Sequence, residues 1–339
     1  MTLVDLRDPS SFPTRRVEAW KYTDLRRFLR ETPPASAEAT VAPGGPFAAL
    51  GGQERAVVNG RLQGFTDIVA DGDDPAPVRL RFVSTEAGAG HQPRLKIEVA
   101  AGGALTLLES HEGRAAGYVS NVALDIRVGA GARLTRVILA DEADDAIALS
   151  RAEVSLGAGA VFNQTLIATG AKLQRLETHV SHPGQGAAVR MDGLYLLSGA
   201  RHADLTSVVA HQGRGGVTSQ LTKGVVRDTA RGVFQGRIVV ARGADDTDAR
   251  MGHHALILSD RGEIDAKPEL VIYADEVSCA HGNTVGALDE SALFYMQQRG
   301  IPAEEARALL TQAFLIEVVD RIGHEGARDV ARDWLEARL

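Results

Sequence analysis

Three stretches of the chain repeat one another. VAAGGALT begins at Val99, VGAGARLT at Val128 and LGAGAVFN at Leu156, so the starts are 29 and then 28 residues apart. A fixed period of this size marks stacked supersecondary units, each needing its neighbours to bury an apolar face. Each copy reads as a strand, a turn of small residues and another strand. Glycine and alanine in the turn let the backbone bend sharply where neighbouring units approach closely. Further β-rich runs follow: LTSVVAH, GVVRD, GVFQGRIVV, ALILS and ELVIYA. No amphipathic segment of helical length separates them, whereas a doubly wound sheet would need a crossover helix after each strand. The pattern predicts a mainly β fold, a parallel β-helix or solenoid, with a β-sandwich as the alternative that short strands alone leave open.

The flanks differ. Residues 14–31, TRRVEAWKYTDLRRFLRE, place Val17, Trp20, Leu25, Phe28 and Leu29 near one face at helical spacing and predict a helix. Thr32 to Pro46 is rich in Pro, Ala and Gly without an apolar period, and reads as a linker or mobile loop. After Asp289 the pattern is helical: Asp289 can cap SALFYMQQR, Gly300 can end it, and Pro302 suits the start of the next helix. Leu309, Leu310 and Phe314, then Trp334 and Leu335, form an apolar stripe. It reads either as core or as a partner surface on helices hanging off the end of the solenoid. The expected organisation is a helical segment and linker over 1–50, a β-helix over 51–288 and a helical module over 289–339.

Composition excludes several classes. The net charge of −7 and the lack of a basic stripe argue against nucleic acid as a partner. No run approaches 18 apolar residues, so no membrane span is expected, and the start MTLVDLRDPSSFPTRR does not read as a signal peptide. One cysteine, Cys279, rules out an intrachain disulfide, and these features together suggest the cytoplasm. No GxxxxGK[ST], GxGxxG, HExxH, CxxC or GxSxG occurs, so neither an ATP site nor an enzyme of those classes is expected. Asp71, Asp73 and Asp74 read as a solvated charged turn. His253 and His254, being adjacent, would face opposite sides of a strand and chelate poorly.

Cys279-Ala280-His281 is the one local arrangement that suggests chemistry. On an extended chain residues i and i+2 share a face about 6.6 Å apart, so thiol and imidazole would present together. Both suit iron–sulfur species, but two ligands leave a tetrahedral site incomplete, so a second chain or a sulfide must supply the rest. The residues alone also allow a buried cysteine beside a hydrogen-bonded histidine. A Cys–His nucleophile pair would further need an oxyanion hole, of which the sequence shows no sign.

The stretch from Lys267 to Ile322, KPELVIYADEVSCAHGNTVGALDESALFYMQQRGIPAEEARALLTQAFLIEVVDRI, closely resembles the C-terminal signature of the SufB/SufD family. LTKGVVRDTARGVFQGRIVVARGADDTDA resembles that family's central block, and RRVEAWKYTDLRRF its SufD branch at the N-terminus. The run from Gly282 to Asp289, GNTVGALD, also resembles SufD rather than SufB. Two local departures are the block His253-His254-Ala255-Leu256-Ile257-Leu258-Ser259 and Asn283, where alanine is common. The resemblance implies a right-handed parallel β-helix and a non-catalytic scaffold subunit for iron–sulfur cluster assembly. It implies a heterodimer with a SufB-type paralogue, a nascent cluster or iron held transiently at their interface, and a SufC-type ABC ATPase docked on the C-terminal helices. His281 then becomes a ligand or iron-entry residue and Cys279 an auxiliary thiol. A homodimer in the partner's absence, and a flavin serving the complex, stay open. A SufB-type scaffold, and more remotely a β-helix carbohydrate-active enzyme, are the alternatives; scarce aromatics, 5% of residues, count against the latter.

Overall fold

The computed structural model of the protein describes residues 4–72 and 76–339. Asp73 and Asp74 of the expected charged turn lie outside the described residues; Asp71 is exposed. Successive strands alternate between two parallel sheets and wind about eight coils of a β-solenoid, flanked by short helical elements at both termini. The sandwich alternative fails because the strands of successive coils pair in parallel; the one antiparallel strand pair among the described residues is the hairpin of Gln53–Val58 and Arg61–Leu62.

The reason is legible strand by strand. In Arg94–Val99, RLKIEV, Leu95, Ile97 and Val99 point inward and the three charged residues outward. Stacking such strands in register puts like on like. Ile68, Ile97, Ile126, Val154, Val180, Val209, Ile238 and Leu270 form one ladder, a rung per coil, through the nine-stranded sheet. Each buried rung contributes about 1.5–3 kcal/mol, and β-branched side chains suit the pleat. The facing ten-stranded sheet carries an inward row of Val78, Leu107, Arg136, Gln164, Met191, Gln220, Met251 and His281.

The repeated Gly-Ala segments are the turns that join the two sheets. A Cβ on Gly129 would lie 2.6 Å from the Ala101 nitrogen of the coil beneath, and one on Gly157 2.5 Å from that of Ala130. Only glycine permits that stacking distance.

Polar groups also lie inside. Arg136 and Glu109, both almost fully buried, form an ion pair at 2.7 Å, and His111 Nε2 lies 2.8 Å from Glu109. Burial pushes the Glu109 carboxyl up, but the Arg136 guanidinium and the His111 ring outweigh it and hold it at about 2.

Both outer faces are partly covered, and here the structure corrects three expectations. The helix expected over 14–31 is broken into a 3₁₀ turn, Glu18–Trp20, and one short helix, α1 (Leu25–Phe28). Tertiary contacts override the helical period. Trp20 stacks on the Arg175 guanidinium at 4.4 Å, the Thr23 hydroxyl donates to Asp204, and Asp24 accepts from the Arg27 amide to start α1. The segment after it is no loose linker. Ser36 N donates to Gly90 O at 3.0 Å, Arg61 to Ser36 O at 2.8 Å and Arg81 to Ala42 O at 3.0 Å.

The C-terminal helices do not hang off the solenoid end. They are α2 (Glu290–Gln298), begun by the Asp289 cap, α3 (Ala303–Asp320) and α4 (Glu325–Glu336). Leu315, Val318 and Val319 of α3 and Ala331, Trp334 and Leu335 of α4 pack on the outer face of the ten-stranded sheet, against Leu139, Ile167, Leu194, Leu196, Leu221 and Val225. Arg321 Nε donates to the buried Asp192 at 2.9 Å and fastens the pair. Trp334 and Leu335 are therefore core, while Leu309 stays 41% exposed.

Two outcomes are expected. Deleting residues 302–339 uncovers the Leu194–Leu221 face, so size-exclusion chromatography should find aggregates; a soluble, β-rich monomer would contradict the packing role. Stability should also fall with acid. Burial pushes the imidazoles of His91, His202 and His253 down to about 4 from 6.5. Since their folded values lie below the unfolded one, their contribution is full above pH 6.5 and is lost as pH falls through 4, at ~3 kcal/mol each. The Glu109 contribution is lost between 4.5 and about 2. Calorimetry should show the melting temperature dropping steadily below pH 6.5, and a flat profile from pH 7 to 4 would contradict this.

Candidate functional site

A solenoid has no natural last coil, and here the final one is left open. Strands Glu263–Ile272 and Val277–Gly286 end the nine- and ten-stranded sheets respectively, each paired on one side only among the described residues. Inward-facing positions that would be buried one coil earlier are uncovered. Ile272 is 39% and Val285 44% exposed, and Tyr273 beside them 63%. Cys279 and His281 both lie on this last strand.

Register places Cys279 over Ala249 and His281 over Met251, two fully buried residues of the preceding coil. Cys279 is half-buried and packs on the apolar cluster of Ala249, Met251, Phe234 and Ile238. Burial pushes its thiol up, and the nearby Asp248 charge adds to this, so it is protonated at neutral pH. His281 is exposed. The alternation of the strand sets it on the inward row with Cys279. Among the described residues no hydrogen bond joins the Cys279 sulfur to an imidazole, so the raised thiol has no base to activate it.

Among the described residues no group of three or more His, Cys, Asp or Glu side chains is placed to hold a metal ion. One imidazole and one thiol lie on the inward row of an open last coil. Such an arrangement presents two ligands to whatever docks there, and encloses nothing alone.

The neighbouring histidines separate as adjacent strand residues must. His254 lies on the outer face, with Nδ1 2.7 Å from Thr284 Oγ1. His253 lies inside, fully buried, with Nδ1 2.7 Å from Asn283 Oδ1 and Nε2 3.0 Å from the Tyr195 hydroxyl. Asn283 stands two residues beyond His281, on the same inward row, and no motif in the sequence marks it as a site residue. The only signal was that both blocks depart from the pattern they resemble, and coil register shows that those departures touch.

No helix among the described residues is long and apolar enough to cross a membrane. In comparison with known proteins, residues 82–314 match the family described as SUF system FeS cluster assembly, SufBD core domain. The iron–sulfur cluster assembly protein SufD of Escherichia coli is 30% identical, over 77% of this chain and 63% of its own length. A SufBD family protein of Mycobacterium leprae is 29% identical over 95% of this chain and 89% of its length. Another of Synechocystis is 29% identical over 74% of this chain, which spans only 54% of that relative. With a match that covers most of the solenoid and runs through Cys279 and His281 into α3, this SufD-like chain belongs to the SufBD family of the SUF iron–sulfur cluster assembly system.

Proposed function

We propose that the chain is a SufD-type scaffold subunit, itself without catalytic activity, which builds iron–sulfur clusters jointly with a SufB-type paralogue. The observation that carries this is the open last coil. Two free strand edges and an uncovered apolar interior call for another β-helix end, which would continue both sheets and bury Ile272, Tyr273 and Val285. A partner docked there brings its own ligands to His281, which supplies an imidazole nitrogen to iron or to the nascent cluster. The cluster is cargo, made and passed on. Cys279 must lose a proton that its surroundings hold, which suits an auxiliary rather than a primary ligand. A single free cysteine fits a cytoplasmic setting.

The energy source in this reading is a SufC-type ABC ATPase, docked on the C-terminal helices. Since Trp334 and Leu335 are core, the docking surface is α2 and the start of α3, where Phe294 is 64%, Tyr295 60% and Leu309 41% exposed. Exposed aromatics of this kind are the usual anchors of an interface.

Anaerobic co-expression with the paralogue and the ATPase, followed by iron and sulfide counts and absorption spectra, tests the whole reading. His281→Ala should still form the complex but lower its bound iron by more than about tenfold. Normal iron and sulfide in that variant would remove His281 from the site. Phe294→Asp with Tyr295→Asp should weaken ATPase binding about thirtyfold, equivalent to about 2 kcal/mol, while leaving the paralogue bound. Unchanged ATPase affinity by calorimetry would move the docking site elsewhere.

A further inference from the structure

His253 is the most tightly held imidazole near the open coil. Its ring lies 4.6 Å from that of Phe234 at an interplanar angle of 2°, and no part of it reaches solvent. Its two nitrogens face different partners. Asn283 Oδ1 can only accept, so Nδ1 carries the proton and donates across 2.7 Å. Nε2 then has only a lone pair, and the buried Tyr195 hydroxyl at 3.0 Å donates to it. The chain Tyr195 O–H to His253 to Asn283 therefore runs one way, from the core outward to the last coil.

The far end of that chain is free. With Oδ1 committed to His253, the Asn283 carboxamide keeps two N–H donors on its Nδ2, and among the described residues they have no partner. Asn283 is exposed, and it shares the inward row with His281 two residues away, about 6.6 Å along the strand. Packing does not demand this residue, because an exposed position needs no side chain to fill it and water could satisfy His253. The contact instead fixes which end of the amide faces outward.

Resting on the function proposed above, we infer that Asn283 donates a carboxamide N–H to a sulfur of the assembling cluster, and that His253 and Tyr195 are the positioning residues that aim it. Hydrogen bonds to cluster sulfurs withdraw electron density and raise the reduction potential. The donor would thus set the redox behaviour of the cargo at this end of the scaffold without being one of its ligands.

The test has two arms. In the free chain, nitrogen NMR of His253 should show the Nδ1–H tautomer; an Nε2–H tautomer would mean that the amide is reversed and would overturn the aiming. In the anaerobically purified complex, Asn283→Ala should keep wild-type iron and sulfide content while the cluster's midpoint potential moves to more negative values. His253→Phe, which touches no cluster, should move it in the same direction. A wild-type complex with a cluster whose potential is unmoved by Asn283→Ala overturns this inference alone. A wild-type complex that never holds a cluster overturns the proposed function, and this inference with it.

Discussion

Eight aliphatic side chains stacked one per coil, from Ile68 to Leu270, set the geometry that everything else in this chain must obey. A ladder of this kind requires parallel strands in register, which in turn requires turns of nearly constant length and glycines where those turns touch. It also imposes a boundary problem. Each rung is buried by the rungs on either side, so the last rung is buried from one side only. Leu270 is only partly buried for that reason, and the strand beside it leaves His281 and Asn283 uncovered.

The two outer faces are treated differently from that end. The N-terminal segment lies along one sheet, held by Trp20 against Arg175 and by Glu18 on Lys267 of the last coil. Helices α3 and α4 cover the other. Exposed apolar side chains are scattered elsewhere, as at Val69 and Val217, but Ile272, Tyr273 and Val285 gather on the final coil with its free edges, and Phe294 and Tyr295 on α2. An interior left uncovered at the last coil puts the candidate site there. In the function proposed above, a pair of ligands insufficient for any metal can still be a site, because the missing half lies on whatever completes the solenoid.

Much of this was readable in the residues. The spacing of VAAGGALT, VGAGARLT and LGAGAVFN reports the coil directly, because the turns are where sequence freedom is smallest. Cys279 and His281 could be paired because strand alternation is local. Contacts across coils are not legible in this way. Glu109 and Arg136 are 27 residues apart and look like ordinary solvated charges until register brings them together at 2.7 Å. The contact between His253 and Asn283 needs the same knowledge. The run Leu194-Tyr195-Leu196-Leu197, apolar on both faces of its strand, was a readable sign that something covers the outer face. The helical period over 14–31 misled because contacts with the sheet, such as Thr23 on Asp204, outweigh local propensity.

On the function proposed above, the last coil is where a partner completes the solenoid. Hydrogen–deuterium exchange, compared between the free chain and the chain mixed with the SufB-type paralogue proposed above, addresses this most directly. The account predicts strong new protection of backbone amides in residues 263–272 and 277–286, where unpaired edges would gain partners, with little change in the coils before Val217. Protection confined to the outer faces, with those two strands exchanging as in the free chain, would contradict it.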